Sequence, residues 1–547
     1  MLTDILERTA FVIWAQLSGQ QELFAPADGG AVNAVLGAAV FLLLASVLIV
    51  LWRRIFRHHA HSASVVPAHH AYTPSFHVVL ATVASAAGLF FLSIRITGGI
   101  VPFRNASDAA VFFGVLGVIG VIAEYFSPRA KHAVFAFTVG TLITFILIGF
   151  HRMLFVSGIP QNPYFMALGI VCVVLLWKFL FGPWKPQVKA GVLGTFVLWV
   201  ALHLLFRDPP EERMTRLLVT GIAFVPAVIW CMLFLKDHMQ RLSMVVLMFL
   251  SGMLSTAPIL FYDSMVRHGA ELQFFLFRIV PENFSSTSNA FVTGNLVGIT
   301  GVRSTLMVTL ISFLLVGLIE EVSKFWVMRR SGRQFFASID DVLQLSIIVA
   351  IGFAFAENVL NPTYFMAFVR QFIIYPVTPD WGAFFGNILG RAILTNMVHI
   401  LSTGVIGYFY GLSLFADSYL ADAHRQGRSH ILPEALQYVL QLPEKEVFRR
   451  ESVTIGLLSA IVLHGLFNFL VTLPDLLPGR PQTLGDLFAS PAGSPFHHIA
   501  LLVIPSLFYV VGGFWLLSVL FYQKESMKER GCLVEKDTFV GQDQVLA

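Results

Sequence analysis

Residues 306–330 read LMVTLISFLLVGLIEEVSKFWVMRR. From Leu306 to Ile319 the only polar side chains are Thr309 and Ser312, whose hydroxyls a helix can satisfy on its own backbone. A stretch of this kind predicts a membrane-spanning helix, because lipid offers no partner to an exposed peptide group and about 20 mostly apolar residues cross the hydrocarbon core. Near its end Glu320 and Glu321 are adjacent, and Lys324 stands at i+4 from the first and i+3 from the second. One helical turn therefore presents two carboxylates and an ammonium. Read blandly, this is a neutralised ion pair that lets a helix carry charge near the inner membrane face. Yet an ionisable group within a span costs about 2.5–3.5 kcal/mol on insertion scales, which makes function the default reading.

The rest of the chain agrees with a membrane protein. Of 547 residues, 56% are hydrophobic and only 12% charged, against about 25% charged in soluble domains. A mean hydropathy of +0.76 excludes disorder, and a formal charge of +4 over this length predicts no nucleic-acid partner. The three cysteines exclude a disulfide framework: Cys172 and Cys231 lie in apolar runs, and Cys532 lies in the C-terminal tail. The opening MLTDILERTAFVIWAQL lacks a basic start followed by an apolar core, so it reads as a short interfacial helix rather than a cleaved signal.

Runs long enough to span number thirteen: 31–52, 77–97, 109–126, 132–150, 163–181, 188–206, 215–236, 241–262, 305–327, 342–362, 384–414, 452–473 and 499–521. The third and sixth are short. The expected fold is all-α, a polytopic transmembrane helical bundle of about 13 spans. With the N-terminus outside, the inner loops hold 21 of the 36 Lys and Arg residues, which places the C-terminus inside. Residues 263–304 are too mixed to span and predict an extracytoplasmic loop with an amphipathic part. Residues 416–450 predict a polar cytoplasmic loop with a short helix. The expected organisation is therefore an N-terminal membrane domain over 1–303, a five-span domain over 304–521 and a tail over 522–547.

Polar residues are unevenly spread over these spans. In the first eight, Arg95, Glu124, Lys178 and His203 lie near span ends and suit snorkelling or interfacial roles. Histidines 58, 59, 61, 69 and 70 suit a solvated loop better than a metal site. The last five spans differ. DDVLQLSIIVAIGFAFAENVLNP (340–362) sets Phe353 and Glu357 one turn apart, followed by Asn358, while Gly352, Ala354 and Ala356 permit close approach of a neighbour. GRAILTNMVHILSTGVIGYFYG (390–411) places Arg391, Asn396, His399 and Thr403 on one helix, with Gly404, Gly407 and Gly411 as a packing face. LSAIVLHGLFNFLVTL (458–473) places His464 and Asn468 at i, i+4.

Carboxylates and imidazoles in a low-dielectric pocket suit the activation of water. A His with an Asn one turn away can donate hydrogen bonds to a developing oxyanion. Two His with one or two Glu can instead bind Zn²⁺. No HExxH helix, G-x-S-x-G elbow or Walker-A loop is present, so those chemistries are not indicated. At 1.5 Å rise per residue, counted from the inner face, Glu320 lies roughly 13 Å deep, His464 roughly 20 Å and Glu357 roughly 24 Å, so Glu357 falls further out than the rest.

Taken in order, Glu320-Glu321-x-x-Lys324, Phe353-x-x-x-Glu357-Asn358, Arg391…His399 and His464-Gly-x-x-Asn468 resemble the four motifs of the PrsW family of intramembrane proteases. That family is similar to the CAAX prenyl endopeptidases, whose first motif ends in Arg and whose second has His where Glu357 stands. The resemblance covers about residues 304–475. It implies that Glu320 or Glu321 is the general base on the attacking water, with His399 and Glu357 supporting or coordinating. It implies further that His464 and Asn468 stabilise the tetrahedral intermediate and that Lys324 balances the glutamate pair. Asn358 and Arg391 enter as supporting residues of their motifs. Metal-free chemistry is slightly preferred, and Zn²⁺ held by Glu321, His399 and His464 stays open. The implied substrate is a membrane-anchored regulator such as an anti-sigma factor, in the lipid bilayer of a bacterial inner membrane. The eight preceding spans depart from the simple family pattern. Two other readings stay open: a transporter relaying protons through the intramembrane Glu and His, against which no inverted repeat is visible, and a catalytically silent scaffold.

Overall fold

A computed structural model describes residues 130–155, 163–182, 184–207, 209–236, 240–261, 302–361, 365–366, 369–370, 388, 390–427 and 431–529, together with a short hairpin over 272–274 and 277–279. The predicted spans 31–52, 77–97 and 109–126, the interfacial helix at the start, the histidine-rich loop, most of 263–304 and the end of the tail lie outside the described residues.

The other ten predicted spans are all helical. They are α1 (Ala130–Phe155), α2 (Pro163–Leu180), α3 (Pro186–Arg207), α4 (Pro210–Leu235), α5 (Leu242–Leu254, continuing after a turn to Phe261), α6 (Val302–Gly332), α7 (Ile339–Leu360), α8 (Asn396–Leu414, preceded by a π-helical turn Arg391–Thr395), α11 (Glu444–Leu476) and α12 (Val503–Glu529). Among the described residues seven helices are long and apolar enough to cross a membrane. The short sixth run is one of them, as α3. Within 263–301 the described part is a β-hairpin, Leu272–Phe274 paired antiparallel with Phe277–Ile279.

Residues 416–450 depart most from expectation. They contain two helices, α9 (Ala416–Arg425) and α10 (Ile431–Leu440), and α11 already begins at Glu444. Mean hydropathy hides α9 because its charge lies on one face only. Ala416, Leu420 and Ala423 are buried, whereas Asp417 pairs with Lys445 and His424 with Glu444 at 3.1 Å, tying α9 to the first turn of α11.

The bundle is built around α7. A capping box starts it: the Ser338 hydroxyl accepts from the Asp341 N–H, and the Asp341 carboxylate accepts from the Ser338 N–H, both at 3.2 Å. It stops before Asn361-Pro362, since the residue before a proline resists the helical conformation. The most apolar stretch of α7 is 94% buried, against 22% for α4 and 28% for α12, so α7 is the central helix and the latter two face the lipid. It packs on α8, α5 and α4; α8 packs in turn on α11 and α12, and α11 on α6. α1 lies against α3, which reaches the bundle through α5.

The small residues do what their spacing predicts. A Cβ on Gly252 of α5 would strike the Val349 carbonyl of α7, and a Cβ on Gly352 of α7 would strike the Phe249 carbonyl of α5. The two helices thus meet backbone to backbone through a reciprocal glycine pair. On α8, Gly407 lies against Val342 and Ser346 and Gly411 against Ile339, all on α7.

Candidate active site

Four helices bring ionisable side chains to one place: α6 with Glu320, Glu321 and Lys324, α7 with Glu357, α8 with His399, and α11 with His464. Glu321 and Lys324 are wholly buried, and Glu320, His399 and His464 nearly so. Glu357 alone keeps a fifth of its side chain exposed. The depth count put Glu357 further out than the rest, yet its Oε2 lies 2.9 Å from His399 Nε2. That count assumed upright helices rising from one plane, an assumption blind to how a packed bundle offsets its members.

Glu321 is the most constrained group. Its Oε1 accepts from Lys324 Nζ at 2.7 Å, His464 Nδ1 at 2.8 Å and Ser402 Oγ at 3.0 Å, and its Oε2 accepts from Thr403 Oγ1 at 3.1 Å. A carboxylate so filled is a fixed negative charge with little left to offer a water molecule. Lys324 also donates to His399 Nδ1 at 2.9 Å, stands 3.7 Å from Glu320 Oε2 and sits 3.9 Å above the centre of the Phe353 ring. Phe353 therefore serves as a face for the buried ammonium.

These contacts assign the imidazole tautomers. An ammonium can only donate, so His399 Nδ1 is an acceptor and its Nε2–H points to Glu357. A carboxylate can only accept, so His464 carries a proton on Nδ1, facing Glu321, and as the neutral imidazole has its lone pair on Nε2. That lone pair faces Glu320 Oε2 across 3.5 Å, and this carboxylate oxygen, though buried, makes no hydrogen bond. Two acceptors facing each other in a buried site call for a proton or a cation between them.

The donor chemistry fits a metal ion. One oxygen of Glu320 and one nitrogen each from His399 and His464 lie within 4.8 Å of one another, a His₂Glu set of the kind that holds catalytic zinc and leaves a position open. The orphaned Oε2 of Glu320 is ready for it, with His464 Nε2 3.5 Å away, while Glu321 behind His464 Nδ1 is the outer carboxylate that fixes a ligand's tautomer. His399, hydrogen-bonded at both nitrogens, can coordinate only by releasing Lys324 or Glu357. The glutamate of the set is thus Glu320, whereas the sequence pointed to Glu321.

The supporting residues divide. The Arg391 charge acts on Glu357 from the π-turn ahead of α8. Asn358 is buried beside Glu357 in sequence, but its Oδ1 makes no hydrogen bond. Asn468, one turn past His464, is half-buried and makes no hydrogen bond among the described residues. Ser402 was not singled out from the sequence; its place at i+3 from His399, on the same helix face, was the available signal.

Residues 240–492 match the family described as PrsW family intramembrane metalloprotease. This segment is similar to the PrsW family. It contains α5 to α11 and every residue of the cluster, and so includes α5, which the sequence resemblance left outside. The remainder of the chain, with α1 to α4 and α12, lies outside the PrsW segment. No curated protein and no solved structure matches the chain. Several apolar helices and the similarity to a membrane-embedded protease family support a multi-pass integral membrane protein.

Proposed function

We propose that the protein is an endopeptidase that hydrolyses a peptide bond in or beside the membrane anchor of a regulatory membrane protein of the anti-sigma-factor kind, working in a bacterial inner membrane with its N-terminus outside and its C-terminus inside. The observation that carries this reading is the buried oxygen Glu320 Oε2, which has no hydrogen-bond partner and lies 3.5 Å from His464 Nε2 at the meeting point of four helices. Glu320 and His464 hold the reacting centre. Glu321 fixes the His464 tautomer, and Lys324 offsets the charge of Glu321 and orients His399. Glu357, partly exposed and bonded to His399, lies on the side from which a substrate reaches the cluster and takes the proton of the attacking water. Asn468, with an uncommitted amide, donates to the developing oxyanion. Zn²⁺ held by Glu320, His399 and His464 would polarise the scissile carbonyl and make its bound water a nucleophile at neutral pH.

The test compares N-termini of membrane proteins by mass spectrometry in cells carrying wild type or Glu320→Gln at matched expression. A terminus within or next to a membrane anchor that appears only with wild type supports the reading and names the substrate. If no terminus differs across several stress conditions, peptidase activity is refuted. Proton-coupled flux in vesicles would then separate a transporter from a silent scaffold.

A further inference from the structure

Ahead of α8 the chain makes a π-helical turn, Arg391–Thr395, which widens the helix by one residue. The Ala392 carbonyl in that turn takes two side-chain donors: Asn396 Nδ2 at 2.9 Å from its own helix, and the Trp230 indole N–H at 2.8 Å from α4. Trp230 is buried, and its ring forms a triangular cluster with Phe234 of α4 and Phe514 of α12, with centroids 6.0 and 5.8 Å away and the two phenylalanine rings 6.5 Å from each other. The π-turn is therefore gripped by two helices that lie outside the PrsW segment.

The extra residue has a geometric consequence. At about 100° per residue, eight regular steps would set Arg391 about 80° around the helix from His399, whereas seven effective steps set it about 20° away. The π-turn thus turns Arg391 onto the face that carries His399, in keeping with the action of its charge on Glu357.

We propose that Trp230 is a positioning residue: through its hydrogen bond to Ala392 it holds the π-turn that sets Arg391 on the His399 face of α8, and this gives α4 a part in a site otherwise built by the PrsW segment. The catalytic consequence rests on the peptidase reading, but the structural claim does not.

The experiment is hydrogen exchange on the full-length protein in nanodiscs, comparing wild type with Trp230→Phe, which keeps a stacking ring and loses the N–H. Loss of one buried hydrogen bond predicts exchange about tenfold faster across 391–399. Trp199→Phe is the control: it loses a comparable bond, from the indole N–H to Thr141 Oγ1 at 2.9 Å between α3 and α1, and should leave 391–399 unchanged. Trp230→Phe with Asn396→Ala should exceed the sum of the single effects, because the two donors share one acceptor. On a cleaved substrate kcat should fall about tenfold in Trp230→Phe at constant KM. Unchanged exchange at 391–399 in Trp230→Phe overturns the proposal, as does an equal rise in Trp199→Phe. Faster exchange without any cleavage by wild type would keep the structural claim and refute the peptidase reading alone. If Trp230→Phe does not fold, Phe514→Leu removes one of the rings that hold the indole and is judged by the same exchange test.

Discussion

Adjacent glutamates on one helical turn have opposite fates in this site. Glu321 is consumed by four donors and Glu320 Oε2 by none. Glu320→Gln should therefore abolish cleavage while leaving thermal unfolding near that of wild type. Glu321→Gln leaves the Lys324 ammonium without its closest counter-charge. Breaking a buried pair costs 3–5 kcal/mol, and Glu320 at 3.7 Å can take over part of the load, so a loss of about 3 kcal/mol is expected in denaturation. If the two variants unfold alike, the assignment of roles is wrong. Thr403→Ala should cost about 1.5–3 kcal/mol, as for a hydrogen bond to a charged group, and Thr403→Ser should recover most of it. Of these distinctions the sequence showed only that the residues exist. Neighbours on a helix point about 100° apart, and which of two adjacent glutamates meets the donors of α8 depends on the rotation of α6 about its axis.

Helices rather than loops position the whole cluster, and their contacts set its accuracy. The α5–α7 contact is the closest approach identified, with Gly252 and Gly352 each against the other helix's backbone. Gly352→Ala and Gly252→Ala should each destabilise by about 1–3 kcal/mol, since backbone cannot move aside as a side chain does. Activity should fall in step, because α7 also carries Glu357. Thermal unfolding in detergent beside a cleavage assay measures both; wild-type stability in both variants would mean that the helices are further apart. At this scale most elements were legible, since ten predicted spans coincide with helices, with ends that differ by up to about eight residues. The failures have a common cause. Hydropathy averaged over a window finds helices surrounded by lipid and overlooks those with one polar face, so a loop with one short helix was expected where α9 and α10 stand. The π-turn was also invisible, because its extra residue is stabilised by Trp230, which is 162 positions away.

For the molecule as a whole, the metal and the orientation are the open tests. Chelation should remove cleavage from the purified full-length protein, Zn²⁺ should restore it, and Mg²⁺, which favours oxygen ligands, should not. Zn²⁺ at a hundredfold excess over Kd should also raise the stability of wild type by about 2.7 kcal/mol and leave His464→Ala unchanged, a readout that needs no substrate. The same unfolding midpoint with and without Zn²⁺ in wild type would exclude the metal site. The proposed orientation predicts that a cysteine introduced near Lys445 is labelled only from the inner side and one near Phe488 only from the outer side. The reverse pattern would invert the bundle.

The sequence by itself determined the membrane environment, the helical class, the approximate ends of the spans and the residue types available for chemistry. Each of these follows from local composition: what a peptide group or a charged side chain costs in lipid depends on its own surroundings along the chain. Tertiary structure alone decided that Glu357 joins the cluster despite its apparent depth, that Glu320 rather than Glu321 is left with an open oxygen, and that α4 reaches the π-turn of α8. Those outcomes depend on how helices rotate, offset and cross when packed. Such relations join residues far apart in the chain, and no period or motif within a single helix encodes them.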